Sequence, residues 1–174
     1  MLAEFVVGLA RRKDRLDQLA KKLSGKKGKL FPVKTDLTKE EDILNAFKWT
    51  KENLGPIHIL INNAGYAETG YITDGDTELW NKIFQLNVIG LSIATREAVK
   101  DMKANNVDGH IIHINSLAGH RNLSPGLVDT EILPPYFAKN VKEYYETGRI
   151  IEAEHIADGV VYALSTPPHV QVII

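Results

Sequence analysis

The chain has 174 residues, 44% of them hydrophobic, enough for one globular domain with a core of its own. A formal charge of −1 excludes the strongly basic balance of a nucleic-acid or polyanion binder. There is no cysteine, hence no disulfide framework and no thiolate metal site, and no apolar run approaches the roughly 20 residues of a membrane span.

The stretch Met1 to Val7 is too short for a signal peptide, and arginines follow it instead of preceding it. The expectation is a soluble, cytoplasmic protein of one domain, residues 1–174, with no repeat and no low-complexity linker. Residues 1–30 hold nine Lys or Arg against three acids, and the simplest account is one solvated basic helix face.

Phe5-Val6-Val7-Gly8-Leu9-Ala10 is a short apolar run suited to a strand buried on both faces. Leu16, Leu19, Ala20 and Leu23 then recur at helical spacing, and Gly25 stands where that helix stops. Leu30 to Val33 reads as a second strand, with Pro32 putting it at an edge. Thr38-Lys39-Glu40-Glu41 fits a capping box at the start of a helix whose inner face is Ile43, Phe47, Thr50 and Leu54, ending at Gly55. Ile57 to Ile61 is the clearest buried strand. A long helical pattern covers Thr77 to Met102, a strand Ile111 to Ile114, a helix Glu154 to Leu164, and a last apolar run Val170 to Ile174.

Strands alternating with helices of this length imply right-handed crossovers and a Rossmann-like doubly wound parallel sheet of the α/β class. Ligands of such sheets bind beyond the carboxyl ends of the strands. Two of those ends carry Asn62-Asn63-Ala64-Gly65 and Asn115-Ser116-Leu117-Ala118-Gly119. Ala64 and Gly65 allow a flat ligand to approach the backbone, although a plain tight turn would use the same residues. Arg11 and Arg12 follow the first strand, and Ala10 stands where an NAD enzyme would carry an acid for the ribose hydroxyl. Arginine there favours a ribose phosphate, because its planar fork pairs with phosphate oxygens; two solvated surface arginines are the competing account. Asn87 is an indifferent helix former inside a helical pattern, which invites a functional reason. His110 and His113, three apart on a strand, face opposite ways and do not form a metal site.

In sequence order, Asn62-Asn63-Ala64-Gly65, Asn87-Val88-Ile89-Gly90, Asn115-Ser116-Leu117-Ala118-Gly119 and Pro125-Gly126-Leu127-Val128-Asp129-Thr130 resemble the short-chain dehydrogenase/reductase family. Stretches 109–121, 40–53 and 164–172 resemble most closely the insect farnesol dehydrogenase group and its vertebrate relative, dehydrogenase/reductase member eleven. The resemblance implies reversible hydride transfer between NADP(H) and an alcohol or carbonyl, with a small lipid or isoprenoid alcohol as the substrate class. It implies that Ser116 is the catalytic serine and that Asn87 positions a water in the proton relay. It further implies that Asp36 and Leu37 flank the adenine, and that Asn63, Ala64 and Gly65 line the cofactor cleft. Pro125, Gly126, Val128 and Thr130 would hold the nicotinamide end, and Arg11 with Arg12 would favour NADP.

Two family parts are expected to be missing. One is the opening strand with its Gly-rich turn, because Gly8 is the only glycine before Gly25. The other is the Tyr-x-x-x-Lys helix with its following strand. The residues four after Tyr66, Tyr71, Tyr136, Tyr144, Tyr145 and Tyr162 are Gly70, Gly75, Asn140, Gly148, Arg149 and Thr166. Ser116 and Pro125 are nine positions apart, whereas a mean helix and strand need about 17 residues between them. The expectation is therefore an incomplete fold, a truncated or exon-skipped form that is inactive as it stands. The alternatives are a non-catalytic partner of intact relatives, a homo-oligomer among them, and an unstable splice product or gene-model fragment.

Overall fold

The computed structural model describes residues 5–68, 73–115, 127–130, 141–146 and 150–166. Strand β1 (Phe5–Ala10), helix α1 (Lys13–Lys22), strand β2 (Lys29–Lys34), helix α2 (Glu40–Leu54) and strand β3 (Ile59–Asn62) come first. A continuous helical run follows, made of α3 (Thr77–Phe84), a π-turn (Gln85–Gly90) and α4 (Leu91–Ala104). Strand β4 (His110–His113), strand β5 (Leu127–Asp129), helix α5 (Val141–Glu146), strand β6 (Ile150–Glu152) and helix α6 (Ala153–Ser165) complete the described order.

The strands form three parallel pairs, β1 with β2, β3 with β4, and β5 with β6. Parallel neighbours need a crossover between them, which α1 supplies for the first pair and the long helical run for the second. Gly8 faces Pro32 in the first register. A Cβ on Gly8 would lie 3.2 Å from Leu16 Cδ2, so the bare backbone is what lets α1 settle on this pair.

The core lies between the helices and the second strand pair. Ile43 and Phe47 of α2 meet Ile93, Ala94, Ala98 and Met102 of α4, with Leu60 and Ile111 packed beneath them. Ala98 is small enough to let the two helices close, and Ile43 is fully buried in the seam. Burying each large aliphatic here contributes roughly 1.5–3 kcal/mol. On the first pair, Phe31 packs edge-on against Phe5 at 5.8 Å and lies 6.1 Å from Trp49 of α2.

Three expectations are corrected. Phe5–Ala10 and the strand beginning at Ile57 were read as fully buried, yet no residue of β1 or β3 is buried, and Phe5 is 54% exposed. The reason is pairing: α2 packs on β1 and α4 on β3, but among the described residues neither strand has a neighbour on its other edge. The capping box at Thr38 is not formed. Lys39 is the N-cap, with no side-chain cap bond, because the Thr38 hydroxyl donates to Asp36 Oδ1 at 2.7 Å. The helix from Thr77 is not uniformly α, since the π-turn interrupts it. Val170–Ile174 lies outside the described residues. No helix among the described residues is long and apolar enough to cross a membrane.

Asp101 ties the helix layer to the sheet. It is 7% exposed, accepts the Ile57 backbone N–H at 2.8 Å and is met by Asn105 Nδ2 at 3.3 Å. Removing the carboxylate leaves a part-buried N–H without its partner. Asp101→Ala is expected to cost about 1–3 kcal/mol, read as a lower urea midpoint; an unchanged midpoint would remove Asp101 from this role.

Candidate functional site

The loops after β2 and β3 converge on the π-turn. Asn87, on that turn, uses both ends of its amide on one residue: Oδ1 accepts the Tyr66 backbone N–H at 2.9 Å and Nδ2 donates to the Tyr66 carbonyl at 2.8 Å. Two residues earlier, Gln85 Nε2 donates to the Thr38 carbonyl at 3.1 Å. Gly90 closes the turn and is buried, and a Cβ there would collide with the Leu37 carbonyl. A π-turn re-aims successive side chains relative to an α-helix, and such turns recur at functional sites. Here it holds the loops after two different strands.

Asn62, at the end of β3, fastens the second pair to α4. Its Nδ2 donates to Thr95 Oγ1 at 3.0 Å and lies 3.1 Å from His113 Nδ1 on β4. Asn63, Ala64 and Gly65 follow and are exposed at the carboxyl end of β3, open to a ligand.

Between the carboxyl end of β1, the loop after β2 and the helical run lies a cleft of about 360 Å³, lined by Arg11, Thr38, Asn81, Lys82 and Gln85. Among the described residues its wall holds two cations and no carboxylate. Arg11 lines it from the carboxyl end of β1, while Arg12 holds the N-cap position of α1 without a side-chain cap bond. Lys82 Nζ sits 4.3 Å from the centroid of the Tyr66 ring. The Tyr66 hydroxyl meets Glu68.

Asp36 stands beside this cleft but is committed to its own loop. Oδ1 accepts the Thr38 hydroxyl at 2.7 Å and the Thr38 N–H at 3.1 Å, and the Asp36 N–H goes to Asp42 at 2.9 Å. The Thr38 hydroxyl holds the Asp36 carboxyl below the ordinary aspartate range against the opposing effect of burial. The Thr38 N–H and the charges of Arg11 and Lys39 add to the lowering. Leu37 turns inward to pack on the core.

Val128 and Thr130 belong to the third strand pair and the residue after it. Their neighbour Asp129 accepts the Tyr145 hydroxyl at 3.0 Å, a bond that pushes the Tyr145 phenol up. Ser116, Pro125 and Gly126 lie outside the described residues. The structure therefore joins Arg11, the Asp36–Leu37 loop and Asn87 around one cleft, and sets Asn63, Ala64 and Gly65 just before the clamped Tyr66. Sequence reasoning missed Asn62, Tyr66, Lys82 and Gln85. Only Asn62 stood within a motif; the others are defined by contacts between segments distant in sequence.

Residues 3–136 match the family of short chain dehydrogenases. The chain is 36% identical to mouse (Mus musculus) dehydrogenase/reductase SDR family member 11 over 211 aligned residues, spanning 96% of this chain and 81% of that protein. It is 34% identical to farnesol dehydrogenase of Aedes aegypti over 208 residues, spanning 96% and 82%. Both alignments are longer than the 174 residues of this chain, so the relatives carry residues between the matched blocks that have no counterpart here. A short-chain type dehydrogenase/reductase from Mycobacterium marinum shares the fold, with a TM-score of 0.81 at 22% identity over 90% of this chain and 77% of that one.

Because the folded Asp36 carboxyl titrates below its unfolded value, its contribution to stability is present above the unfolded pKa of about 3.9 and is lost as pH falls through the folded one. Asp36→Ala is expected to cost about 1–2 kcal/mol at neutral pH, with the difference from wild type narrowing below about pH 4. Urea titrations at several pH values test this, and a difference that stays constant with pH would show that the ionised carboxylate is not what matters.

Proposed function

This chain belongs to the short-chain dehydrogenase/reductase family, and we propose that it is an NADP(H)-type member whose nucleotide cleft persists while turnover is crippled. The family is one of oxidoreductases that bind nicotinamide cofactors and act on small molecules. The observation that carries the NADP reading is the cleft at the carboxyl end of β1, with Arg11 and Lys82 in its wall and no carboxylate among its described lining residues. An NAD-type site would be expected to place a carboxylate there for the ribose hydroxyls. These residues suit the adenosine end of the cofactor. When bound, the nicotinamide supplies or accepts the hydride.

The residues at hand divide by role. Arg11 binds phosphate, and Asn63 to Gly65 leave room for the flat cofactor. Asn87 acts as a positioning residue, fixing the Tyr66 loop. Ser116 is assigned to the substrate oxygen by its motif. The similarity to farnesol dehydrogenase supports an isoprenoid or small lipid alcohol, oxidised reversibly to its carbonyl in the cytoplasm. What the chain does not supply is a proton donor of the family kind, since no Tyr has Lys four positions later. The excess length of the relatives' alignments supports a missing internal segment, and the motif spacing favours a position between Ser116 and Pro125.

Losing a positioned proton donor costs about 10²–10⁴-fold in rate. The purified chain is accordingly expected to oxidise NADPH with farnesal or simple ketones at no rate above background, while still binding the nucleotide in equilibrium dialysis. Robust turnover would overturn the proposal of crippled chemistry.

A second reading, association with copies of itself or with intact relatives, is favoured by one surface. Trp80, Phe84 and Val88 recur every four residues along the helical run and are exposed, Phe84 to 62%. Sedimentation of the purified chain at micromolar concentration is expected to show a dimer or larger species, alone or when mixed with the mouse relative. A monomer in both experiments would sink this reading.

A further inference from the structure

Lys82 stands four residues after Glu78 on α3, the spacing at which a helical ion pair forms. Among the described residues no ion pair joins them. The ammonium instead lies over the Tyr66 ring at 4.3 Å and lines the same cleft as Arg11. The ring is not free to drift, because Asn87 grips the Tyr66 backbone from both its N–H and its carbonyl. Across the cleft, Gln85 Nε2 holds the Thr38 carbonyl, so the wall opposite Arg11 is fixed as well. A cation held over an aromatic face keeps outward N–H donors for an anion, since the ring engages only one side of the ammonium.

We infer that Lys82 is a second phosphate-binding cation, which with Arg11 grips the ribose 2′-phosphate that distinguishes NADP(H) from NAD(H). The inference rests on the NADP reading above and adds to it a residue that no strand-end motif contains. Arg11 presents a planar fork, and Lys82 a compact charge; the two together can satisfy more phosphate oxygens than either alone. Asn81, one residue earlier in the same wall, adds an amide. Tyr66 acts only by holding Lys82 in place, a positioning role.

The test is calorimetric titration of the full chain with adenosine 2′,5′-bisphosphate and, separately, with adenosine 5′-monophosphate. Wild type is expected to prefer the bisphosphate by about tenfold or more, and the preference to shrink as salt is raised. Lys82→Met, close to Lys in length but uncharged, should remove most of that preference and leave the monophosphate affinity unchanged; Lys82→Gln, shorter, polar and uncharged, should do likewise. Tyr66→Phe should retain the preference and Tyr66→Leu should weaken it. Circular dichroism of each variant checks that the fold is kept. If Arg11→Met abolishes the preference while both Lys82 variants retain it, the role of Lys82 is overturned and the NADP reading stands. If wild type shows no preference, or binds neither nucleotide, both fall together.

Discussion

The structure turns on one widened turn of helix. Between Gln85 and Gly90 the run from Thr77 to Ala104 leaves α geometry, and three residues of that turn each engage a loop from elsewhere in the chain. Gln85 takes the Thr38 carbonyl, Asn87 takes both backbone groups of Tyr66, and Gly90 lets the helix rest on the Leu37 carbonyl. The loops after β2 and β3 would otherwise be independent surface segments. Because the Gln85 and Asn87 contacts satisfy backbone polar groups that an apolar neighbour would leave unpaired, and Gly90 allows close approach, the turn ties the two loops to the helical run that carries Lys82.

Below that hub, stability is distributed unevenly. The buried side chains belong mostly to α2 and α4, while β1 and β3 are half exposed and, among the described residues, paired on one edge only. A parallel sheet ordinarily gains its strength from burial on both faces. Here the helix layer carries the core, and Asp101 is the polar rivet that fixes it to the start of β3. The surface network of Arg96 with Glu40 and Glu97 joins α4 to α2, but exposed ion pairs of this kind contribute little each. The cleft lined by Arg11 and Lys82 is thus supported from the helical side.

Chemistry and scaffold are separable in this chain. Of the groups that suit a nucleotide, cations, amides and small residues sit in the residues preceding Asn115, but the Gly-rich turn of the family does not, since Gly8 is the only glycine before Gly25. Moving a proton needs a phenol beside a lysine at fixed spacing, and no tyrosine of the sequence has one. Tyr66 does have Lys82 against its ring, but its hydroxyl is hydrogen-bonded to Glu68 and not to the ammonium.

Local pattern alone determined a good deal about this protein. The 3.6-residue spacing of Ile43 and Phe47 located α2 and its inward face, and the small and amide residues after β3 stood out as a run in which Asn62 fastens β3 to α4. The incongruity of Asn87 inside a helical pattern pointed to a special role. These are short-range properties, set by side-chain period and backbone freedom within a few residues. Only the tertiary structure decided that Thr38 serves Asp36 and not the helix it precedes, that β1 and β3 remain half exposed, and that Lys82 abandons Glu78 for Tyr66. Each of those outcomes is a competition between a local partner and a distant one, and which wins depends on distances that exist only after the loops have met at the π-turn.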